Sequence, residues 1–259
     1  CLCGASTAAG LSHSCIEGHG CGPTTQFGKV GNCGMTPTEA LDQVIALGQP
    51  VTASQMAAYH KVKRRYLGVS NPQLDTLYRA WRKETNIPQR IKIARFLWNS
   101  DIHEARIVAA KLLTQARINP DADVWAEICR WVPQFDAWAI ADHACLAGSK
   151  RLYLNDERLT KVEGWTTHKN MWVRRAALVI TLPWTKSNHP KDAEGAQRDR
   201  ILGWAAEYTT DHEWYIQKSI GLWLRSLSKH DPNRVQAFMD AHGDRMKPVA
   251  RKNVMCMLG

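Results

Sequence analysis

The chain has 259 residues, of which 44% are hydrophobic and 22% charged, so it can bury a sizeable core and does not have a disordered composition. Its longest apolar runs, such as residues 176–184, fall well short of the roughly 20 residues that cross a bilayer, so we expect a soluble protein. A net charge of +10 favours a nucleic-acid partner, although an ordinary solvated basic surface is also compatible with it.

The first 34 residues differ in composition from the rest of the chain. They are rich in Gly, Ser and Thr, have no helical or strand period, and lack the pattern of a signal peptide. Their two charged residues cancel, so the positive excess lies in residues 35–259. We interpret residues 1–34 as a disordered or non-native extension. They hold five cysteines, Cys1, Cys3, Cys15, Cys21 and Cys33, but no opposed Cys-x-x-Cys pairs, so we predict no metal site.

From residue 35 onward the pattern is typical of short helices in succession. The first, residues 36–48, has Thr36 as a predicted N-cap, Pro37 in its first turn and Glu39 three residues after the cap. Later segments repeat apolar residues at spacings of three and four, and none alternates with a period of two, so we predict an all-α domain. These segments are residues 52–68, 71–85, 87–100, 102–117, 121–132, 135–148, 158–168, 171–184, 198–210, 214–229, 233–243 and 248–258.

Three of these segments resemble one another, which predicts an internal repeat. Superposing Arg106, Arg174 and Gln217 aligns their small and apolar positions at separations typical of helical repeats of roughly 35 to 45 residues. Such repeats stack helix pairs into a solenoid with a concave face. Arg175 and Lys218 coincide in this superposition, so we expect both on that face as a basic track, with ordinary solvated charges as the alternative.

One predicted helix carries a carboxylate four residues after a tryptophan. Trp138 and Asp142 stand at positions i and i+4 and therefore share a face, and the alanines around them leave room for another backbone or a ligand. Burying a charge without a partner is costly. One interpretation is therefore a salt bridge from Asp142 to Arg175 with Trp138 in the core, and the other is a functional site.

The chain resembles the AlkD family of alkylpurine DNA glycosylases in three segments that follow one another in order: FDAWAIADHACLAG, GWTTHKNMWVRRAALV and DHEWYIQKSIGLWLR. The resemblance covers roughly residue 56 to the C-terminus. It implies a right-handed α-solenoid of HEAT-like repeats whose concave, basic face binds duplex DNA carrying an N3- or N7-alkylated purine. It also implies hydrolysis of the N-glycosidic bond in base excision repair, without metal or cofactor, by a cytoplasmic, nucleoid-associated monomer.

The resemblance also assigns roles to individual residues. Trp138, Asp142 and Arg175 match the family's catalytic positions, with Asp142 as the essential carboxylate, and Tyr59 matches a tyrosine of the first DNA-contacting helix. For the basic cluster of residues 61–65, phosphate binding and a solvated face are equally compatible with the pattern. The further predicted DNA contacts are Lys61, Lys63, Arg64, Arg174, Lys218, Trp223 and Arg225.

The sequence departs from the family pattern at two positions. A second site tryptophan falls on Leu222, and Trp223 comes one residue later, about 100° further round the helix. A family lysine falls at Pro183, which leaves Lys186 as a substitute. Two alternatives to the glycosylase therefore remain: a weak or inactive helical-repeat protein that binds damaged or branched DNA, and a protein-interaction scaffold.

Overall fold

The computed structural model describes residues 34–255, which are helical and contain no β-strand. The predicted all-α class is confirmed, while the predictions made for residues 1–33 lie outside the described residues. Within residues 34–255, no helix has the length and apolarity needed to cross a membrane. The helices are α1 (Pro37–Ala46), α2 (Pro50–His60), α3 (Asn71–Glu84), α4 (Ile87–Asn99), α5 (His103–Leu113), α6 (Ala122–Trp131), α7 (Trp138–Leu154), α8 (Leu159–Glu163), α9 (Met171–Val179), α10 (Asp192–Glu207), α11 (Trp214–Ser228), α12 (Pro232–His242) and α13 (Pro248–Met255).

Helix α1 begins where the capping pattern predicts. The Thr36 hydroxyl accepts a hydrogen bond from the Glu39 amide at 3.2 Å, and the Glu39 carboxylate accepts one from the Thr36 amide at 2.8 Å. Pro37 occupies the first turn, where its missing N–H leaves no bond unmade. Such a capping box stabilises the helix by about 1 kcal/mol, so this boundary could be predicted from local sequence alone.

Helix α2 ends at His60, eight residues before the predicted end of that segment. Lys61 has a left-handed backbone with φ of 56°, which terminates the helix, and Gly68 has φ of 78°. Residues 61–70 therefore form a loop whose side chains do not follow a helical face. The buried Glu104 carboxylate on α5 fixes this loop, because it accepts hydrogen bonds from the amides of Leu67 at 2.9 Å and Gly68 at 2.7 Å.

The odd-numbered helices from α3 to α13 lie in a row in which each contacts the next. Helices α4, α6, α10 and α12 each pack against a member of this row, and α4 contacts α6 as α10 contacts α12. The polypeptide thus forms helix pairs, with one member of each pair in the row. The row carries the side chains of interest, because α7, α9 and α11 are consecutive members of it.

The three residues that superpose in the predicted repeat make the same kind of bond. Arg106 donates to the Trp98 carbonyl at 3.1 Å, Arg174 to the His168 carbonyl at 2.9 Å, and Gln217 to the Tyr208 carbonyl at 3.1 Å. In each case the acceptor lies just before the donor's own helix. The shared bond supports the internal repeat, since it ties each helix of the row to the segment that leads into it.

Small residues on α7 allow close packing against α9. Ala141 and Ala144 are fully buried, and a Cβ added to Gly148 would lie 2.7 Å from the Ile180 Cδ1 atom. These small side chains therefore accommodate a neighbouring helix and not a ligand, and they bring the first half of α7 within reach of the Arg175 side chain.

Candidate active site and DNA interface

Asp142 and Arg175 form an ion pair between α7 and α9. One guanidinium nitrogen bonds Oδ1, and the second donates to Oδ2 at 3.1 Å, so the contact is bidentate. The Arg175 side chain is 8% exposed and the Asp142 side chain 34% exposed. The salt bridge considered from the sequence thus exists, but its two ends differ in environment. The arginine lies beneath, and the carboxylate reaches the surface.

The exposed side of this carboxylate opens into a cleft of about 510 Å³. Aromatic side chains line it: Tyr59, which is 71% exposed, lies edge to face with Trp138 at a ring distance of 6.4 Å. Arg175 and Lys218 both line the cleft, in agreement with the shared face that their superposition predicts. The complete lining is Tyr59, Trp138, Asp142, Arg175, Trp214, Tyr215, Lys218, Gly221, Leu222, Arg225 and Asn253.

A larger cavity of about 1510 Å³ adjoins the cleft. Trp138, Asp142 and Leu222 line both cavities, so the carboxylate stands at their common boundary. Most of the exposed surface of the larger cavity is apolar, and Arg117, Lys150 and Lys186 add positive charge to it beside the carboxylates of Asp121 and Asp142. The carboxylate is therefore reachable from two connected concave surfaces, both of which carry cations.

Trp223, a predicted DNA contact, does not reach this site. Trp223 is fully buried, and its indole nitrogen donates to the Thr181 hydroxyl at 3.2 Å, whereas Leu222 is 40% exposed and lines the cleft. The one-residue shift turns the indole into the core by about a quarter turn. An aliphatic side chain therefore occupies the position where the family pattern has its second tryptophan.

The prediction that Arg64 contacts DNA is also wrong in this structure. Its side chain is 2% exposed and lies between two carboxylates, at 3.1 Å from Asp101 and 2.5 Å from Asp136. The early end of α2 explains the difference, because the loop turns Arg64 inward. Its neighbours Lys61 and Lys63 are exposed but line neither cavity.

Arg174 and Arg225, both predicted as DNA contacts, have different positions relative to the cleft. The Arg174 guanidinium pairs with Asp211 at 3.0 Å and lines neither cavity, so it serves the helix packing described above. Arg225 is exposed and lines the cleft. The groups that the structure brings together are therefore Tyr59, Trp138, Asp142, Arg175, Lys218 and Arg225.

Two neighbouring histidines, the partly buried His60 and the buried His103, lie beside Trp138, and the sequence patterns did not single them out. The His60 ring is 5.6 Å from the Trp138 ring and 4.5 Å from the ring of His103. Within the described residues, both ring nitrogens of His103 and Nδ1 of His60 are buried and have no hydrogen-bond partner. Burial lowers the pKa of both imidazoles, that of His103 to about 3, and the positive charge of Arg64 adds to the effect. Both rings are therefore neutral at pH 7.

We expect the free energy of unfolding to decrease as the pH is lowered, because of His103. In the folded protein its pKa is about 3, against an ordinary value of 6.5, so the unfolded chain binds a proton first as pH falls. The stabilising contribution is complete above pH 6.5 and decreases towards the folded-state pKa, by roughly 2 kcal/mol at about pH 5. Urea unfolding at several pH values measures this slope, which should be shallower in His103→Phe.

The exposed His189 provides the control for this measurement. A His189→Phe variant should keep the wild-type slope, because this side chain is exposed and its replacement leaves the buried His103 in place. Equal slopes in wild type and His103→Phe would contradict the prediction.

The family model described as DNA alkylation repair enzyme matches residues 40–255 of the chain. The protein belongs to this family. Its fold is similar to that of a predicted DNA alkylation repair enzyme from Enterococcus faecalis, with a TM-score of 0.66 and 24% identity over 80% of this chain and 94% of that one. AlkD2 from Streptococcus mutans is similar with a TM-score of 0.54 and 19% identity over 73% of this chain and 88% of that one. The comparison with curated proteins yielded no match.

Proposed function

We propose that this protein is a monofunctional DNA glycosylase that hydrolyses the N-glycosidic bond of cationic N3- or N7-alkylated purines, such as 3-methyladenine and 7-methylguanine, in duplex DNA. The observation that carries the proposal is the Asp142 carboxylate, which is held from beneath by Arg175 and opens into an aromatic, cationic cleft. Family membership supports a role in DNA alkylation repair. The chemistry requires no metal or cofactor.

The substrate's own charge explains why a single carboxylate suffices. An N-alkylated purine is already cationic and leaves without being protonated, so bond breaking builds positive charge on the deoxyribose. Asp142 stabilises this charge and positions or deprotonates the water that attacks C1′. The products are the free base and an abasic site. The Trp138 ring adds cation–π stabilisation beside the carboxylate.

Arg175 orients the carboxylate in this mechanism. Its bidentate contact fixes both oxygens of Asp142, and its 8% exposed side chain leaves the guanidinium in the wall of the cleft. A carboxylate held by a rigid planar partner needs little reorganisation when the charge on the sugar develops. Tyr59, Lys218 and Arg225 line the same cleft, where Lys218 and Arg225 would neutralise phosphates of the bound DNA.

The proposal extends to the architecture. The helix pairs, the row of odd-numbered helices and the repeated Arg106, Arg174 and Gln217 contacts support a solenoid of HEAT-like repeats, and the resemblance to the AlkD family implies its right-handed sense. Its concave, basic face would be the face that carries the cleft. We propose that the protein acts on DNA as a monomer, in the cytoplasm at the nucleoid.

Base release tests the proposal directly. The protein is incubated with duplex DNA containing a single 7-methylguanine or 3-methyladenine, and the free base is separated and quantified. An unmodified duplex of the same sequence serves as control. Release from the alkylated duplex, without release from the unmodified one, supports the glycosylase. If neither 7-methylguanine nor 3-methyladenine is released, the proposal is wrong.

A second candidate function is DNA binding with weak or no catalysis. Leu222 favours it, because this exposed side chain offers no aromatic face at the boundary of the two cavities. Binding of alkylated duplex without base release would support this candidate over the first. Binding that is absent or insensitive to salt would exclude both, since phosphate contacts weaken as salt concentration rises.

A further inference from the structure

Trp214 is an exposed aromatic residue of the cleft that the proposed chemistry leaves without a role. It is the first residue of α11, its side chain is 47% exposed, and it lines the same cleft as Trp138 and Asp142. Large aromatic side chains are usually covered, so one exposed in a concave, cationic surface indicates a contact site.

The Trp214 ring is held by its neighbours on the same helix. The Lys218 ammonium lies 4.2 Å above the ring, and the Tyr215 ring meets it edge to face at 4.8 Å. Trp214 and Lys218 stand four residues apart and share one face of α11. The indole therefore holds a cation at the cleft, and the cation covers one aromatic face.

The position of α11 places this pair across the site from the other aromatic residues. Tyr59 and Trp138 come from α2 and α7, whereas Trp214 comes from α11. Helix α9, which carries Arg175, contacts both α7 and α11. Aromatic side chains therefore reach the cleft from α7 and α11, two neighbours of α9, whose Arg175 pairs with Asp142.

We propose that Trp214 and Lys218 together form a DNA contact beside the reacting nucleotide. When DNA binds, the Lys218 side chain moves so that its ammonium leaves the indole and pairs with a backbone phosphate. The uncovered indole face then stacks on a sugar or base. The Lys218 ammonium thus exchanges the Trp214 ring for a phosphate, and the same movement exposes the face of the indole. This inference rests on the proposed DNA substrate and adds a residue that neither the motifs nor the family comparison assigns.

The salt dependence of DNA binding separates the two halves of the contact. Affinity for 7-methylguanine duplex is measured between low and moderate salt for wild type, Trp214→Ala and Lys218→Met. Loss of one phosphate contact lowers the slope of log affinity against log salt by about 0.9. Lys218→Met should show this change. Loss of stacking should weaken binding roughly ten-fold at every salt concentration, so Trp214→Ala should shift the line without changing its slope.

Phe96→Ala provides the matched control, because Phe96 is an exposed aromatic residue on α4 that lines neither cavity. It should bind DNA as wild type does, and thermal melting checks that all three variants fold. Wild-type affinity in Trp214→Ala overturns the inference. A Trp214→Ala variant that changes only the slope also overturns it, since the ring would then merely hold Lys218 in place.

Base release from the same samples keeps this inference distinct from the glycosylase proposal. Release by wild type together with unaltered binding by Trp214→Ala removes the Trp214 contact and leaves the enzyme. Weakened binding by Trp214→Ala without release by wild type supports the contact and removes the enzyme. A wild-type protein that does not bind the duplex overturns both.

Discussion

The Asp142→Asn variant is expected to release alkylated bases roughly 100- to 1,000-fold more slowly than wild type, because it loses the charge proposed to stabilise the sugar cation. Asparagine keeps the shape of the side chain and one acceptor oxygen for Arg175. DNA affinity should therefore stay at the wild-type level or rise slightly, since a negative charge is removed from the surface proposed to bind phosphates. Single-turnover base release and a binding titration on the same duplex measure the two effects.

Asp211→Asn is the matched control for this experiment. Asp211 pairs with Arg174 at 3.0 Å, just as Asp142 pairs with the next arginine along α9, but Asp211 lines neither cavity. Both variants lose one carboxylate from an aspartate–arginine pair. If Asp211→Asn slowed base release as much as Asp142→Asn, the effect would come from helix packing and not from the charge at the cleft.

The Glu104→Ala variant is expected to lower the free energy of unfolding by about 3 kcal/mol. Glu104 is fully buried, and its carboxylate is the acceptor for the amides of Leu67 and Gly68. Removing it leaves two buried N–H groups unpaired, each at a cost of roughly 1 to 3 kcal/mol. Urea unfolding followed by circular dichroism measures the change.

Two further variants test the cause of this destabilisation. Glu104→Gln keeps one acceptor oxygen and should lie between wild type and Glu104→Ala. Glu84→Ala removes an exposed carboxylate at the end of α3 and should leave stability within about 0.5 kcal/mol of wild type. Equal stability of Glu104→Ala and Glu84→Ala would contradict the role of the carboxylate in fixing residues 61–70.

Local patterns predicted the parts of the fold and of the site that depend on spacing within one helix. The capping box at Thr36 and the shared face of Trp138 and Asp142 follow from helical geometry alone. The superposition of Arg175 with Lys218 placed both on one surface, because equivalent positions of a repeat face the same way. The same four-residue spacing would also have found Trp214 and Lys218.

Other positions could not be predicted because they depend on where a helix stops or how it is rotated. The predicted second helix included Arg64, but the left-handed residue Lys61 ends α2 and directs Arg64 towards Asp136. Sequence spacing gives no rotation relative to neighbouring helices, so it could not decide between Leu222 and Trp223. Tertiary packing decides both cases, because it buries the Trp223 ring and pairs the inward-facing Arg64 with carboxylates.

The size of the side chain at position 222 affects the connection between the two cavities. Because Leu222 lies on the boundary shared by the 510 Å³ cleft and the 1510 Å³ cavity, its size sets how far the two spaces join beside Asp142. A smaller residue would merge them into one trough, and a bulkier one would separate them. This position on α11 thus affects both access to the carboxylate and the room beside it. Under the proposed function, substitution there is expected to change the size of the lesion that the site accepts.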